Sequence, residues 1–473
     1  MNVSLGGGVL ALTGVASTAY QLLYRTNDAT GQPVANATTV IVPNGAPPAG
    51  GRRLVSLHDA EDSVDPNCAP SYQLQLAQSS NGNLSAESSL VSPMLALGRD
   101  VVIPDAEGLK SEYIVAGMEA HAVLDSIRAV ERFPAAQLGG SATPVGLTGY
   151  SGGGHVTAAA DEFAPGYAPE LHIVGVAGGG VPPANRETIA YLDGSVGAGV
   201  LMATSIGVDR AYPQLDLTSL LNARGKAFAQ QVSTGCATSV FAAPFAHFDQ
   251  YTTVPDSFDL PRVAQVISQN ALGHTTPTAP TFFYNAISDE LISVKALDKL
   301  VAFYCDNGAT IDYFRDPSGV EHVQGAANFF PLALIYLNGR FNGDPVPNTC
   351  GPRHPSANAP SNSAAPGDAG VPGSGAPRGP GRGGRKCRSG RVITVHPRIP
   401  RALTVQRIRV TASGGTVKLT RRAHPRRLRI SLIGRAAGTV KIDLRIRGRR
   451  DHHAVTIHDR RTYRTCRPHE LNV

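Results

Sequence analysis

No stretch of this chain holds the run of about 18 apolar residues that a membrane-crossing helix needs. A helical membrane span is therefore excluded. Cysteine is scarce too. Cys68, Cys236, Cys305, Cys350, Cys387 and Cys466 lie far apart and never as Cys-x-x-Cys. That spacing argues against a metal centre, while the even count permits three disulfides in an exported protein. No Lys or Arg precedes the weak apolar stretch Val9 to Val15, and the first positive charge is Arg25. An export signal normally begins with such charges. Either a signal segment lies upstream of a misplaced start, or the protein stays inside. Few aromatics interleave with the basic residues near the C-terminus, so no specific nucleic acid partner is expected. No cofactor is expected either.

What the chain does hold is unevenly charged. Residues 1–375 carry a net −15 and residues 376–473 a net +22, which together make the overall +7. An acidic body with a basic tail reads as separate units. The stretch 352–386 is mostly Pro, Gly, Ser and Ala, a linker unable to bury a core. We therefore expect a domain over 1–351, the linker, and a basic all-β domain over 387–473, closed end to end by Cys387 and Cys466. In that last domain Val392–Val395, Ile408–Val410, Val417–Leu419, Leu428–Ile430 and Val440–Leu444 alternate as strands do.

In the first domain strand-like runs (Tyr20–Tyr24, Thr38–Val42, Arg53–His58, Asp100–Pro104, Ile173–Ala177) alternate with helical periodicity, as over Tyr113–Phe133. This predicts an α/β fold, a mostly parallel sheet covered by helices on both faces. Residues 184–275 break the rhythm with helices, prolines and the aromatics Phe241, Phe245, Phe248 and Tyr251. They form either a cap over a site or an insertion packing its own aromatics. The sheet resumes at Pro280–Ala286 and Thr310–Arg315, and a helix over Ala326–Asn338 closes the domain.

Gly149-Tyr150-Ser151-Gly152-Gly153 lies between such a strand and a helix. Small residues around the serine tolerate a strained turn that pushes the hydroxyl out, the nucleophile elbow of an α/β-hydrolase. A serine hydroxyl needs a base, usually histidine oriented by a carboxylate, and here the expected order is Ser, acid, His. His155, His172, His247 and His274 fall too early or face away, whereas His322 follows the last strand. Asp289, in the turn after Phe282–Ala286, is the preferred acid; Glu290 is the alternative, with Asp306, Asp312 and Asp316 behind them. The oxyanion requires about two donors. Gly152 N–H is one, and the other is expected from the loop His58 to Asp62, which lacks a His-Gly-Gly-Gly sequence.

Glu61-Asp62-Ser63, Cys68-Ala69-Pro70-Ser71-Tyr72, Pro104-Asp105-Ala106-Glu107-Gly108, Leu124-Asp125-Ser126-Ile127-Arg128-Ala129 and Tyr167-Ala168-Pro169-Glu170-Leu171 together resemble the secretory lipase family, of the Candida antarctica lipase A type. The resemblance spans roughly residues 15–345. It implies Ser151, Asp289 and His322 as a triad, Gly152 and Asp62 as the oxyanion hole, disulfides Cys68–Cys236 and Cys305–Cys350, and a helical cap. It also implies a secreted triacylglycerol lipase working on lipid esters, at a lipid–water interface. Alternatives are a peptidase or amidase on the same fold, and a C-terminal domain that binds an anionic cell-surface polymer. A solvated, arginine-rich face is the plainer reading of that domain.

Overall fold

In the computed structural model, residues 15–76, 90–351 and strand segments between 392 and 465 are described. The chain divides into two units, one on each side of residue 360. The first is built on eight strands: β1 (Ser17–Asn27), β2 (Pro33–Pro43), β3 (Leu54–His58), β4 (Asp100–Pro104), β5 (Val145–Tyr150), β6 (Ile173–Gly179), β7 (Thr281–Ala286) and β8 (Ile311–Asp316). Their order across the sheet is β1-β2-β4-β3-β5-β6-β7-β8. β1, β2 and β4 pair antiparallel, and every pairing from β4 onward is parallel. This is the α/β arrangement expected from the sequence.

Successive residues of each strand serve opposite faces. Val55, Leu57, Val101 and Ile103 pack under α8 (His322–Asn342), against Phe329, Ala333 and Leu337. Their neighbours Leu54, Val102, Val145 and Leu147 pack against α1 (Ala116–Glu131) and α2 (Gly152–Tyr167), through Val123, Leu124, Ile127 and Val156. Burial on both faces is why these strands read as unbroken apolar runs. Each such side chain contributes about 1.5–3 kcal/mol on leaving water.

Two helices differ from the periodicity. α1 starts at Ala116 and not Tyr113, because Ser111 (φ 48°) and Ile114 (φ 58°) take left-handed backbone that a helix cannot include. α8 starts at His322, earlier than Ala326, for a reason given by the site below.

Residues 184–275 fold as α3 (Arg186–Leu192), α4 (Val200–Ala211), α5 (Ala223–Val232), α6 (Pro261–Asn270) and several short 3₁₀ turns. Phe248 against Phe258 (centroids 4.5 Å) and Phe228 against Tyr251 (5.0 Å) make an internal aromatic core. Phe241 and Phe245 stay 37% and 62% exposed. Half of the aromatic patch is thus core and half faces outward. Disulfides join Cys68 to Cys236, and Cys305 in α7 (Val294–Asp306) to Cys350.

In the second unit, β9 (Val392–Val395), β10 (Thr404–Ala412), β11 (Gly415–Thr416), β12 (Leu428–Ser431), β13 (Gly438–Arg450) and β14 (His453–Thr465) form sheets ordered β11-β10-β13-β14 and β12-β9. Cys387, Cys466, the linker 352–386 and the expected strand Val417–Leu419 lie outside the described residues.

The elbow glycines are needed for contact. A Cβ on Gly153 would run into the His58 carbonyl of β3, and one on Gly149 into the Gly153 carbonyl. Gly153→Ala must force β3 and α2 apart, and we expect a loss of about 1–3 kcal/mol in urea denaturation. Unchanged stability would show that the packing is slack.

Candidate active site

Ser151 lies between β5 and α2 with φ 58° and ψ −121°. That conformation costs a residue bearing a Cβ about 1–3 kcal/mol. It is held by the Ser151 N–H donating to the Gly179 carbonyl at 2.9 Å and by the close contact of α2 with β3. The turn aims Oγ at Nε2 of His322, 2.7 Å away. Nδ1 of the same ring is 2.8 Å from Asp289 Oδ2. The other Asp289 oxygen accepts the backbone N–H groups of Leu291 (3.0 Å) and Ile292 (2.7 Å), so its orientation is set by its own turn.

Glu290, the alternative acid, does something else. Its Oε2 accepts the backbone N–H of His322 at 2.9 Å, capping α8 from a distant loop. The histidine expected in a loop is therefore the first residue of a helix. Tyr150 donates from its hydroxyl to the His322 carbonyl at 2.7 Å, and its ring lies 5.1 Å from the imidazole. Tyr191, from α3, donates to the Asp289 carbonyl at 2.6 Å. Neither tyrosine carried a sequence signal beyond its place near the elbow or in the insertion.

Three of the other candidate histidines are used elsewhere, and His172 lies exposed just before β6. His155 bonds the Pro182 carbonyl at 2.8 Å, and burial pulls it down to about 4. His274 donates to the Ser268 carbonyl at 2.7 Å, and the exposed His247 pairs with Asp193 at 2.7 Å. Asp316 takes bonds from Tyr284 (2.6 Å), Ser318 N–H (2.8 Å) and Asn328 (2.9 Å). Burial raises its carboxyl, but those donors outweigh burial and hold it at about 2.

Gly152 opens α2, so its N–H has no acceptor within the helix and points with the positive end of the helix dipole. Asp62 is buried with φ 45° and stands so close that a Cβ on Gly152 would meet its Oδ1. That oxygen accepts the Tyr113 hydroxyl at 3.0 Å. Burial pushes the Asp62 carboxyl up, against the opposing pulls of Tyr113 and His322. Behind it Glu61, Glu107 and Glu119 are also buried, and burial lifts Glu119 to about 8.

Two cavities meet at this point. One runs beneath the insertion, lined by Ile189, Leu192, Leu201, Val208, Val266 and Leu291. The other follows α8, lined by Leu90, Val323, Ala326, Phe330, Pro331 and Leu334. Asp62, Ser151 and Phe241 line both. Among the described residues, no group of three His, Cys, Asp or Glu side chains is placed to hold a metal ion.

Burial lowers the His322 imidazole, but its bond to Asp289 and the nearby carboxylates of Asp289, Asp62 and Glu290 raise it above 6.5 overall. Protonated His322 therefore stabilises the fold at pH below 6.5, and this contribution is lost as pH rises through the folded-state value. The neutral ring able to accept a proton gains population over that same upper range. NMR titration should find His322 above 6.5, and Asp289→Asn should lower it; a wild-type midpoint below 6.5 contradicts the geometry.

Comparison with known proteins gives the same frame. The secretory lipase family matches residues 74–349. Lipase A of Arthroderma benhamiae is 33% identical over 70% of this chain and 72% of its own length. A secreted triacylglycerol lipase of Malassezia furfur is 31% identical over 70% of each chain. A Mycobacterium tuberculosis protein named a probable inactive lipase is 34% identical over 70% of this chain and 75% of its own. Closed-state Candida antarctica lipase A superposes with TM-score 0.67 and 27% identity over 74% of this chain and 83% of that one. The chain belongs to the secretory lipase family, carboxylic-ester hydrolases built on the α/β-hydrolase fold.

Proposed function

We propose that this protein hydrolyses acylglycerols through Ser151, His322 and Asp289. The observation that carries the reading is an unbroken hydrogen-bonded relay, Asp289 to His322 to Ser151, opening onto two apolar cavities. His322 Nε2 takes the Ser151 proton as Oγ bonds to the ester carbonyl carbon. The carbonyl electrons move to oxygen, where Gly152 N–H and Asp62 meet the charge. Asp62 serves through its backbone N–H or through a retained proton, since a bare carboxylate would repel an oxyanion. The C–O bond to the alcohol then breaks, and the leaving oxygen takes the proton from His322. Water repeats the sequence on the acyl-enzyme and releases a fatty acid.

The cavities favour a long apolar acyl chain over a peptide, because their linings offer few partners for successive amide groups. A relative named as inactive makes the intact relay the deciding feature here. Membership of a secretory family and two disulfides fit an extracellular enzyme. Attachment to an anionic surface polymer is a second reading for the arginine-rich unit, beside the plainer solvated face, and attachment that raised salt fails to weaken would exclude it.

Initial rates on tributyrin, a long-chain triacylglycerol and a soluble short ester test the substrate class. We expect Ser151→Ala to lose at least about 10⁴-fold on all three. Asp62→Ala should lose about 10²–10³-fold in kcat if the retained proton completes the oxyanion hole, and far less if the backbone N–H does. A Ser151→Ala protein with full activity would exclude the mechanism, and indifference to acyl length would exclude the lipase reading.

A further inference from the structure

The two cavities meet at three described residues that line both, Asp62, Ser151 and Phe241. A residue that lines both stands at the junction between them. Asp62 and Ser151 form the part of that junction where the ester carbonyl must sit. Phe241 supplies the rest from the insertion, where it ends a 3₁₀ turn (Ala237–Phe241) and remains 37% exposed. Among the described residues it is also the one large apolar side chain common to both cavities.

Its position is tied to the site covalently. Cys236, immediately before that turn, is bonded to Cys68, and six residues before Cys68 lies Asp62. Ser63, next to Asp62, donates from its hydroxyl to the Gly235 carbonyl at 3.0 Å, beside the same disulfide. From the opposite side Gly199 packs on the Val240 and Ala242 carbonyls so closely that a Cβ there would collide. The segment carrying Phe241 is thus held against the loop carrying Asp62 and against the start of α4.

We propose that Phe241 is a specificity-determining partition, and that the Cys68–Cys236 bridge fixes it relative to the reacting serine. Resting on the ester-hydrolase reading above, this adds a constraint on shape. With the acyl chain in one cavity and the alcohol in the other, only the ester group itself lies beside the ring. A linear acyl chain and an unbranched alcohol leave the partition undisturbed. A methyl branch on the carbon next to the carbonyl, or a tertiary carbinol carbon, adds volume where the ring already stands. One methyl group in a confined apolar site alters discrimination by about 10–200-fold.

The test is the ratio of kcat/KM for a 2-methyl-branched acyl ester to that for its linear isomer, both with the same alcohol. Phe241→Ala should raise this ratio at least about tenfold, and Phe241→Trp should leave it unchanged or lower it. Cys68→Ser with Cys236→Ser should move it in the same direction as Phe241→Ala, by less. A ratio within twofold of wild type in Phe241→Ala overturns the partition, including the case in which both substrates slow equally because the cap has loosened. A rise in Phe241→Ala with no change in the double serine variant overturns the role of the bridge alone. Complete inactivity of wild-type protein on both esters would instead count against the ester-hydrolase reading, so the two failures are separable.

Discussion

Everything in the site depends on a backbone conformation that Ser151 would not adopt alone. With φ at 58°, the serine stands at the end of β5 where the chain reverses into α2. The cost is recovered by packing: β3 and α2 approach until the Gly153 position touches the His58 carbonyl. This close approach has two consequences at once. It exposes Oγ at the carboxyl end of the sheet, and it leaves the Gly152 N–H unpaired within its helix, beside the place where negative charge would develop.

The partners of the serine come from loops following β7 and β8, parallel neighbours across the sheet, so one scaffold positions all three. Asp289 is oriented by N–H groups of its own turn, and His322 by its place at the head of α8. Glu290 and Tyr150 grip the backbone of His322 from either side. Such support matters because a relay of hydrogen bonds tolerates little displacement. Burial pushes the carboxyl groups of Glu61, Glu107 and Glu119 around Asp62 up, which favours their neutral form behind its loop.

Much of this was legible in the sequence because strand–turn–helix elbows leave a local trace. Glycines at 149, 152 and 153, a serine at the apex and the order of acid and histidine are chain-order properties. The preference for Asp289 over Glu290 rests on turn chemistry alone, and the duty of Glu290 left no trace. Both sit in one turn, and only the distant His322 separates their duties: one meets its imidazole, the other its backbone N–H. For the same reason the start of α8 was misplaced by four residues, since its cap comes from a segment more than thirty residues earlier. The second cavity was equally hidden, because α8 spends one face on the sheet core and lends Val323, Ala326 and Pro331 to the site.

The central claim is that Ser151 alone is activated by its neighbours. Titration with a long-chain alkyl p-nitrophenyl phosphonate, followed by peptide mass spectrometry, tests it most directly. The account predicts release of one equivalent of p-nitrophenol and a single adduct, on Ser151, formed far more slowly in Asp289→Asn. No adduct on the folded wild-type protein, or an adduct on another residue, would contradict it.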